Sequence, residues 1–148
     1  QQNVEFFKKY AASNDCLVVA GNVAPADRTQ DDRIFYVGRL EPTDLFSLYK
    51  TAEYFIHLAS PDACPNVVVD ARASGCKVVC SSLGGAKEIA GPNALVVVEE
   101  NWDYTPMELN GDRLLDLTNI TNNCYNAEMD MRQTARKYES FLMTTIGK

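Results

Sequence analysis

The sequence is short of several things at once, and each shortage closes off a class of function. It has a single histidine, His57, so no His or Asn constellation for nucleophilic catalysis can be assembled around it. Set inside an apolar run, that residue reads as a hydrogen-bonded core or rim histidine and is given no catalytic role. Basic residues number 14 against 20 acidic ones, a net charge of −6. A nucleic-acid binder needs a basic footprint for the phosphate backbone, so that class is excluded. No apolar run approaches the ~20 residues of a membrane-spanning helix. The opening Gln1-Gln2-Asn3-Val4-Glu5 lacks the pattern of a signal peptide. The five cysteines include no CxxC pair and no zinc spacing, which favours a reducing compartment, with cytoplasm as the default location. There is no internal repeat, low-complexity tract, P-loop, GxGxxG, HExxH or Asp-x-Asp. Without the acidic pair that commonly holds a divalent ion on a diphosphate, a site free of metal and cofactor is the consistent expectation.

What remains is an ordinary soluble composition. The chain has 148 residues, 46% hydrophobic and 23% charged, the size of one domain with a sizeable core. Short apolar runs alternate with amphipathic ones. Val4 to Ala12 reads as a helix, residues 15–21 as a buried strand ending at Gly21, residues 22–32 as loop and 33–37 as the next strand. Pro42 opens a packing helix whose apolar face is Leu45, Leu48, Tyr49 and Ala52. Strands follow at 54–58, 77–80 and 94–98, the last of them continuously apolar as a strand covered on both faces should be. From Thr105 the spacing of Leu109, Leu114, Leu115 and Leu117, then of Ala127, Met131, Ala135, Tyr138 and Leu142, predicts helices over about 105–147. The whole is read as one α/β domain over 1–148, a Rossmann-like parallel sheet with helices on both faces.

One stretch carries chemistry. Ser60 to Gly75 reads as a polar loop running into a helix from Pro65 to Ser74, with proline suited to the first helical position and glycine to the C-terminal cap. Asn66 and Asp70 fall four apart on one face of it. Free N–H groups and the positive end of the helix dipole make such a terminus an anion site, above all for phosphate. Asp70, acceptor-only when ionised, can hold two hydroxyls of a ribose diol. Asp62 lies in the loop ahead, where it also reads as a helix cap. Cys64, beside the helix start, is read as lining.

Asp62 and Asp70, with seven residues between them, resemble the Glu-x7-Glu motif of retaining glycosyltransferases of the GT-B fold, family 4. From about Arg33 to Val98 the chain is similar to the C-terminal domain of that family nearly throughout, in Phe35-Tyr36-Val37-Gly38, Asp44 to Glu53, Asp62 to Ala71, Ser74-Gly75-Cys76-Lys77-Val78-Val79 and Gly84-Gly85-Ala86-Lys87-Glu88-Ile89. Both motif positions carry Asp in place of Glu, and Lys77 stands where proline is usual. The resemblance implies a donor-binding domain of a hexosyltransferase type, moving a sugar from a UDP- or GDP-linked donor to an unknown acceptor. It implies that Asp62 meets the donor sugar, that Asp70 holds the ribose, that Arg39 and Leu40 line the base, and that Asn66, Val67, Gly84, Gly85 and Lys87 meet the sugar and diphosphate. The family's first strand and its basic diphosphate-gripping segment have no counterpart ahead of Gln1, so the chain is expected to be part of a longer or two-chain enzyme. An N-terminal acceptor-binding domain or subunit is the expected partner, and the isolated chain is expected to be inactive. The alternative is a non-catalytic or split-enzyme module that supplies the nucleotide site to a separate acceptor subunit.

Overall fold

The structure is a computed structural model and describes residues 1–59, 62–99, 115–125, 132–133, 135–137 and 139–140. Its elements in chain order are α1 (Gln2–Tyr10), β1 (Leu17–Ala20), a 3₁₀ turn (Pro25–Asp27), β2 (Ile34–Gly38), α2 (Pro42–Thr51), β3 (Tyr54–His57), α3 (Asn66–Ala73), β4 (Lys77–Ser81), α4 (Ala86–Ile89), β5 (Leu95–Val97) and β6 (Ile120–Asn122). The alternation of apolar strand and amphipathic helix therefore yields the α/β arrangement that it predicts. The strands form two hydrogen-bonded groups, β1-β2 and β3-β4-β5-β6. Every pairing is parallel except the last, in which β6 runs antiparallel to β5.

The larger sheet is covered on both faces, and strand alternation decides what meets what. Val79 and Val97 share a buried cluster with Phe6 of α1 and with Leu58 and Leu117. Val78, Cys80 and Val96, pointing the other way, pack with Val68 of α3 and with Ala86 and Ala90 on and just beyond α4. A third cluster joins Tyr49 of α2 to Ala71 and Cys76, with Leu45, Ala52 and Phe55 against it. The face predicted for α2 is thus the one that meets the core. Tyr49 also stacks edge-on to Phe55, with ring centroids 5.4 Å apart.

Two boundaries differ from the sequence reading. The helix after the polar loop begins at Asn66, not Pro65: Pro65 is extended (ψ 110°) and caps α3. Its carbonyl accepts the first bonds of the helix, from Val68 N–H at 3.0 Å and Val69 N–H at 3.5 Å. At the other end Gly75 takes φ +101°. There Cys76 N–H donates to Ala71 O and Gly75 N–H to Arg72 O, both at 3.0 Å, the bond pair of a Schellman ending.

The second difference is β6. Leucine spacing predicts helix throughout this region, yet Ile120–Asn122 forms a strand. The β-branched pair Ile120-Thr121 is seated on the open edge of β5, and such an edge is a tertiary feature that local periodicity does not contain. Residues 132–133, 135–137 and 139–140 are helical, as the second apolar stripe predicts. The rest of the helices expected over 105–147 lies outside the described residues. Among the described residues no helix is long and apolar enough to cross a membrane.

Candidate functional site

In an open parallel sheet, ligands are bound beyond the carboxyl ends of the strands. The residues singled out from sequence all lie there: Arg39 and Leu40 follow β2, Asp62 to Val67 follow β3, and Gly84 to Lys87 follow β4.

The start of α3 is the centre of this edge. No side chain caps it, so Asp62 does not serve as its cap. The first N–H groups of a helix have no intrahelical partner. Among the described residues neither Asn66 nor Val67 finds a backbone acceptor for its N–H, and both residues are exposed. Pro65 is buried beneath them. The terminus is therefore open to solvent and its positive end is uncompensated.

Asp70 follows four residues on. The buried positions of α3 are Val68 and Ala71, and Asp70, between them in number but not in direction, is half-buried. Its carboxylate makes no hydrogen bond or ion pair with the described residues. It lies close enough to Tyr49 to help raise that phenol above its usual pKa, burial being the larger cause and Cys76 the smaller one.

Asp62 and the two glycines form one unit. Gly85 N–H donates to Asp62 O at 2.9 Å. A Cβ on Gly85 would stand 1.9 Å from Ala63 O, and one on Gly84, where φ is +80°, would stand 2.4 Å from Asp62 O. Both glycines are thus required by the close approach of one loop to the other. The β4 loop fixes the backbone of Asp62, and Gly85 N–H is already engaged.

The Asp62 side chain faces a residue that sequence reasoning left without a role. His57, the last residue of β3, brings Nε2 to 3.3 Å from Asp62 Oδ2. The approach lacks the direction of a hydrogen bond, and among the described residues Nε2 is buried without one. The imidazole lies nearly parallel to the Phe55 ring, at 6.2 Å and 15°. No spacing in the sequence signals this contact, because His57 and Asp62 meet only through the turn that leaves β3.

The cations are placed differently from one another. Arg39 is exposed at the exit of β2 and has no ion-pair partner among the described residues. Together with Leu40, His57 and Val67 it lines a cleft of about 1750 Å³. Lys87 is half-buried, its ammonium 5.8 Å from the centre of the Tyr125 ring. The Lys87 turn is anchored by Asn123, whose Nδ2 donates to Lys87 O at 2.7 Å and to Gly91 O at 2.8 Å. Asn123 and Tyr125 follow β6, so the strand that periodicity missed is also what positions this lysine. Lys77, at the position where the resemblance leads one to expect proline, is on the opposite edge of the sheet and pairs with Glu53 at 3.0 Å.

The site thus brings together a bare helix terminus, a carboxylate one turn along that has no partner among the described residues, and a second acidic residue whose backbone is held by a two-glycine loop. Among the described residues no three His, Cys, Asp or Glu side chains are grouped so as to hold a metal ion. Comparison with known proteins bears on what such an edge serves. No curated protein and no solved structure matches the chain. The family model described as Glycosyl transferases group 1 matches residues 4–106, from α1 past β5 and through every residue of the candidate site. The chain therefore belongs to the group 1 glycosyl transferases, and its activity is in general terms sugar transfer.

Proposed function

We propose that this chain is the donor half of a retaining glycosyltransferase, binding a nucleotide diphosphate sugar, UDP- or GDP-linked, at the carboxyl edge of its sheet. The observation that carries the reading is the pairing of an uncapped, exposed α3 terminus with the Asp70 carboxylate one turn along, which has no partner among the described residues. The diphosphate sits against the Asn66 and Val67 N–H groups. Asp70 accepts from the ribose hydroxyls. Arg39 and Leu40 border the base, and Lys87 with the Gly84-Gly85 loop closes over the phosphates.

The same arrangement provides for the chemistry. As the bond from sugar to phosphate breaks, negative charge grows on the departing phosphate, and preorganised N–H donors at a helix terminus stabilise it without reorganising. Asp62, its backbone fixed by Gly85 and its carboxylate set 3.3 Å from His57, accepts hydrogen bonds from the donor sugar and holds the reacting carbon in place. The acceptor comes from a further domain or subunit, and because transfer needs both substrates in near-attack geometry, this chain alone transfers little.

Isothermal titration with UDP and GDP tests the reading. Heat of binding is expected with one of the two. Asp70→Ala is expected to weaken that binding at least ~10-fold, about 1.4 kcal/mol. Flat titrations with both nucleotides overturn the proposal, as does an Asp70→Ala chain that binds as tightly as the parent.

A further inference from the structure

The one histidine of the chain stands where the larger sheet ends and the candidate site begins. His57 is the last residue of β3 and is registered against Cys80 of β4. Side chains two apart on a strand share a face, so His57 points the same way as Phe55. Phe55 packs with Val68, Val78 and Cys80, the cluster that α3 roofs. The imidazole therefore lies on the α3 side of the sheet, and His57 lines the cleft together with Val67, the second residue of that helix.

Polar accounting singles out one atom of this residue. Nε2 is shut off from water, and among the described residues it has no hydrogen-bond partner. Asp62 Oδ2 stands 3.3 Å from it, on a side chain that is 37% exposed where that of His57 is 13% exposed. Asp62 thus turns one oxygen toward a dry nitrogen while keeping surface in water. An ionised carboxylate only accepts, so an Nε2 without a proton would set lone pair against lone pair. With the proton on Nε2, a small rotation and a slight approach complete an N–H···O bond.

The backbone of Asp62 is not free to drift out of reach. Gly85 N–H holds its carbonyl at 2.9 Å, and the lack of side chains at Gly84 and Gly85 lets the β4 loop press directly on Asp62 and Ala63. With the backbone held, only χ1 and χ2 remain to aim the carboxylate. One bond to Oδ2 settles both torsions and leaves the other carboxylate oxygen as an acceptor of fixed direction. A group aimed in advance needs no reordering when a substrate arrives.

We infer that His57 is the positioning residue of Asp62: with its proton on Nε2 it donates to Asp62 Oδ2, and the free carboxylate oxygen is thereby aimed at a hydroxyl of the donor sugar. This rests on the donor site proposed above and assigns within it the part that tells a nucleotide sugar from a bare nucleotide. Base, ribose and diphosphate fall to Arg39, Leu40, Asp70 and the start of α3, groups that His57 does not orient. The pair therefore matters for the sugar conjugate and not for the nucleoside diphosphate. A histidine that only filled space beneath α3 would be replaced by leucine without making that distinction.

Because the chain has a single histidine, isotope labelling of histidine nitrogen gives one imidazole in the NMR spectrum, and that spectrum tests the pairing. At alkaline pH, where imidazole is neutral, the proton is expected on Nε2, and Asp62→Ala is expected to return the ring toward the tautomer mixture of free histidine. A bare Nε2, or parent and Asp62→Ala spectra that agree, overturns the inference. Calorimetric titration with UDP, UDP-glucose, GDP and GDP-mannose tests the use of the pair. His57→Leu is expected to weaken binding of the nucleotide sugar about fivefold, the worth of one hydrogen bond, while changing that of its nucleotide less than about twofold. His57→Gln, whose side-chain amide also donates, is expected to restore the loss. Equal weakening of nucleotide and nucleotide sugar, weakening of neither, a His57→Gln chain as weak as His57→Leu, or a parent that binds each nucleotide as tightly as its sugar conjugate overturns the inference and leaves the nucleotide site standing. Flat titrations with all four overturn the donor site and this use of the pair together, while the imidazole spectrum separately shows whether His57 holds Asp62.

Discussion

The β1-β2 ribbon and the β3-β6 sheet are written in nearly the same alphabet, Leu17-Val18-Val19-Ala20 on one side and Val78-Val79-Cys80 on the other, yet they are buried very differently. From Val78 on, β4 is wholly inside, whereas no residue of β1 is fully buried and in β2 only Ile34 is. Phe35 and Val37 on β2 are 51% and 43% exposed. The number of neighbours accounts for the difference. Strand β4 is bonded on both sides and roofed on both faces, while β1 is bonded only to β2 and opens on the cleft. Burial here is a property of the neighbourhood, not of the run of residues.

The largest test of that contrast is a matched pair of truncations. Leu58→Ala removes a side chain 1% exposed in the inner cluster and is expected to lower unfolding free energy by about 2–5 kcal/mol. Leu17→Ala, half-buried on the ribbon, is expected to cost roughly a third of that, since the transfer and cavity contributions both scale with what is enclosed. Urea denaturation of the two variants measures the gap, and equal losses would break the comparison.

Next come the glycines. Gly85→Ala places a methyl group 1.9 Å from Ala63 O, forces the two site loops apart, and is expected to destabilise by about 1–3 kcal/mol while weakening nucleotide binding. Gly21→Ala, beside β1, meets nothing within 4 Å and carries only the strain of φ +124°. Thermal melts with titration of the bound nucleotide separate the two: Gly21→Ala shifts the melt without touching affinity.

A smaller effect is set by Cys80. Burial, opposed weakly by nearby Lys87, pushes its thiol up to about 11. A thiol whose pKa is raised on folding keeps its proton in the native state, so its contribution is complete below the unfolded pKa and fades as pH rises toward 11. Stability is expected to decline between about pH 8.5 and 11, and the Cys80→Ala chain to lack that component of the slope. Maleimide at neutral pH should meanwhile modify Cys16, Cys64 and Cys124 and spare Cys76 and Cys80, since the first three are exposed and the last two buried. Last, the Lys77–Glu53 pair is exposed on both sides, and Glu53→Gln should leave the urea midpoint unmoved.

Much of this was legible in advance, for identifiable reasons. Helices and strands from α1 to β5 follow the spacing of apolar residues, because each is short and regular, and several, such as β1 at Gly21, α2 at Pro42 and α3 at Gly75, are bounded by proline or glycine. The face of α2 and the C-terminal cap at Gly75 follow from the same local rules. Within the candidate site, Asn66 and Asp70 share a face because a helix has a fixed pitch. His57 was out of reach, since a contact made across a turn leaves no periodic trace. So was Asn123, which reaches back more than thirty residues to hold Lys87 and Gly91. The role of Gly84 and Gly85 is tertiary in the same way: the resemblance implies contact with the donor, and only the fold shows that the backbone of Asp62 and Ala63 is what they approach.

Sequence alone determined the α/β class, the acidic character that speaks against nucleic acid as ligand, and the shared helical face of Asn66 and Asp70, because composition and local backbone preference act residue by residue. Tertiary structure alone decided that β1 and β3 face each other across an open cleft, that β6 closes the far edge, and that the Asp62 carboxylate stands against His57. Those outcomes depend on which surfaces meet, and meeting is settled by long-range burial and hydrogen-bond completion rather than by any neighbour in the chain.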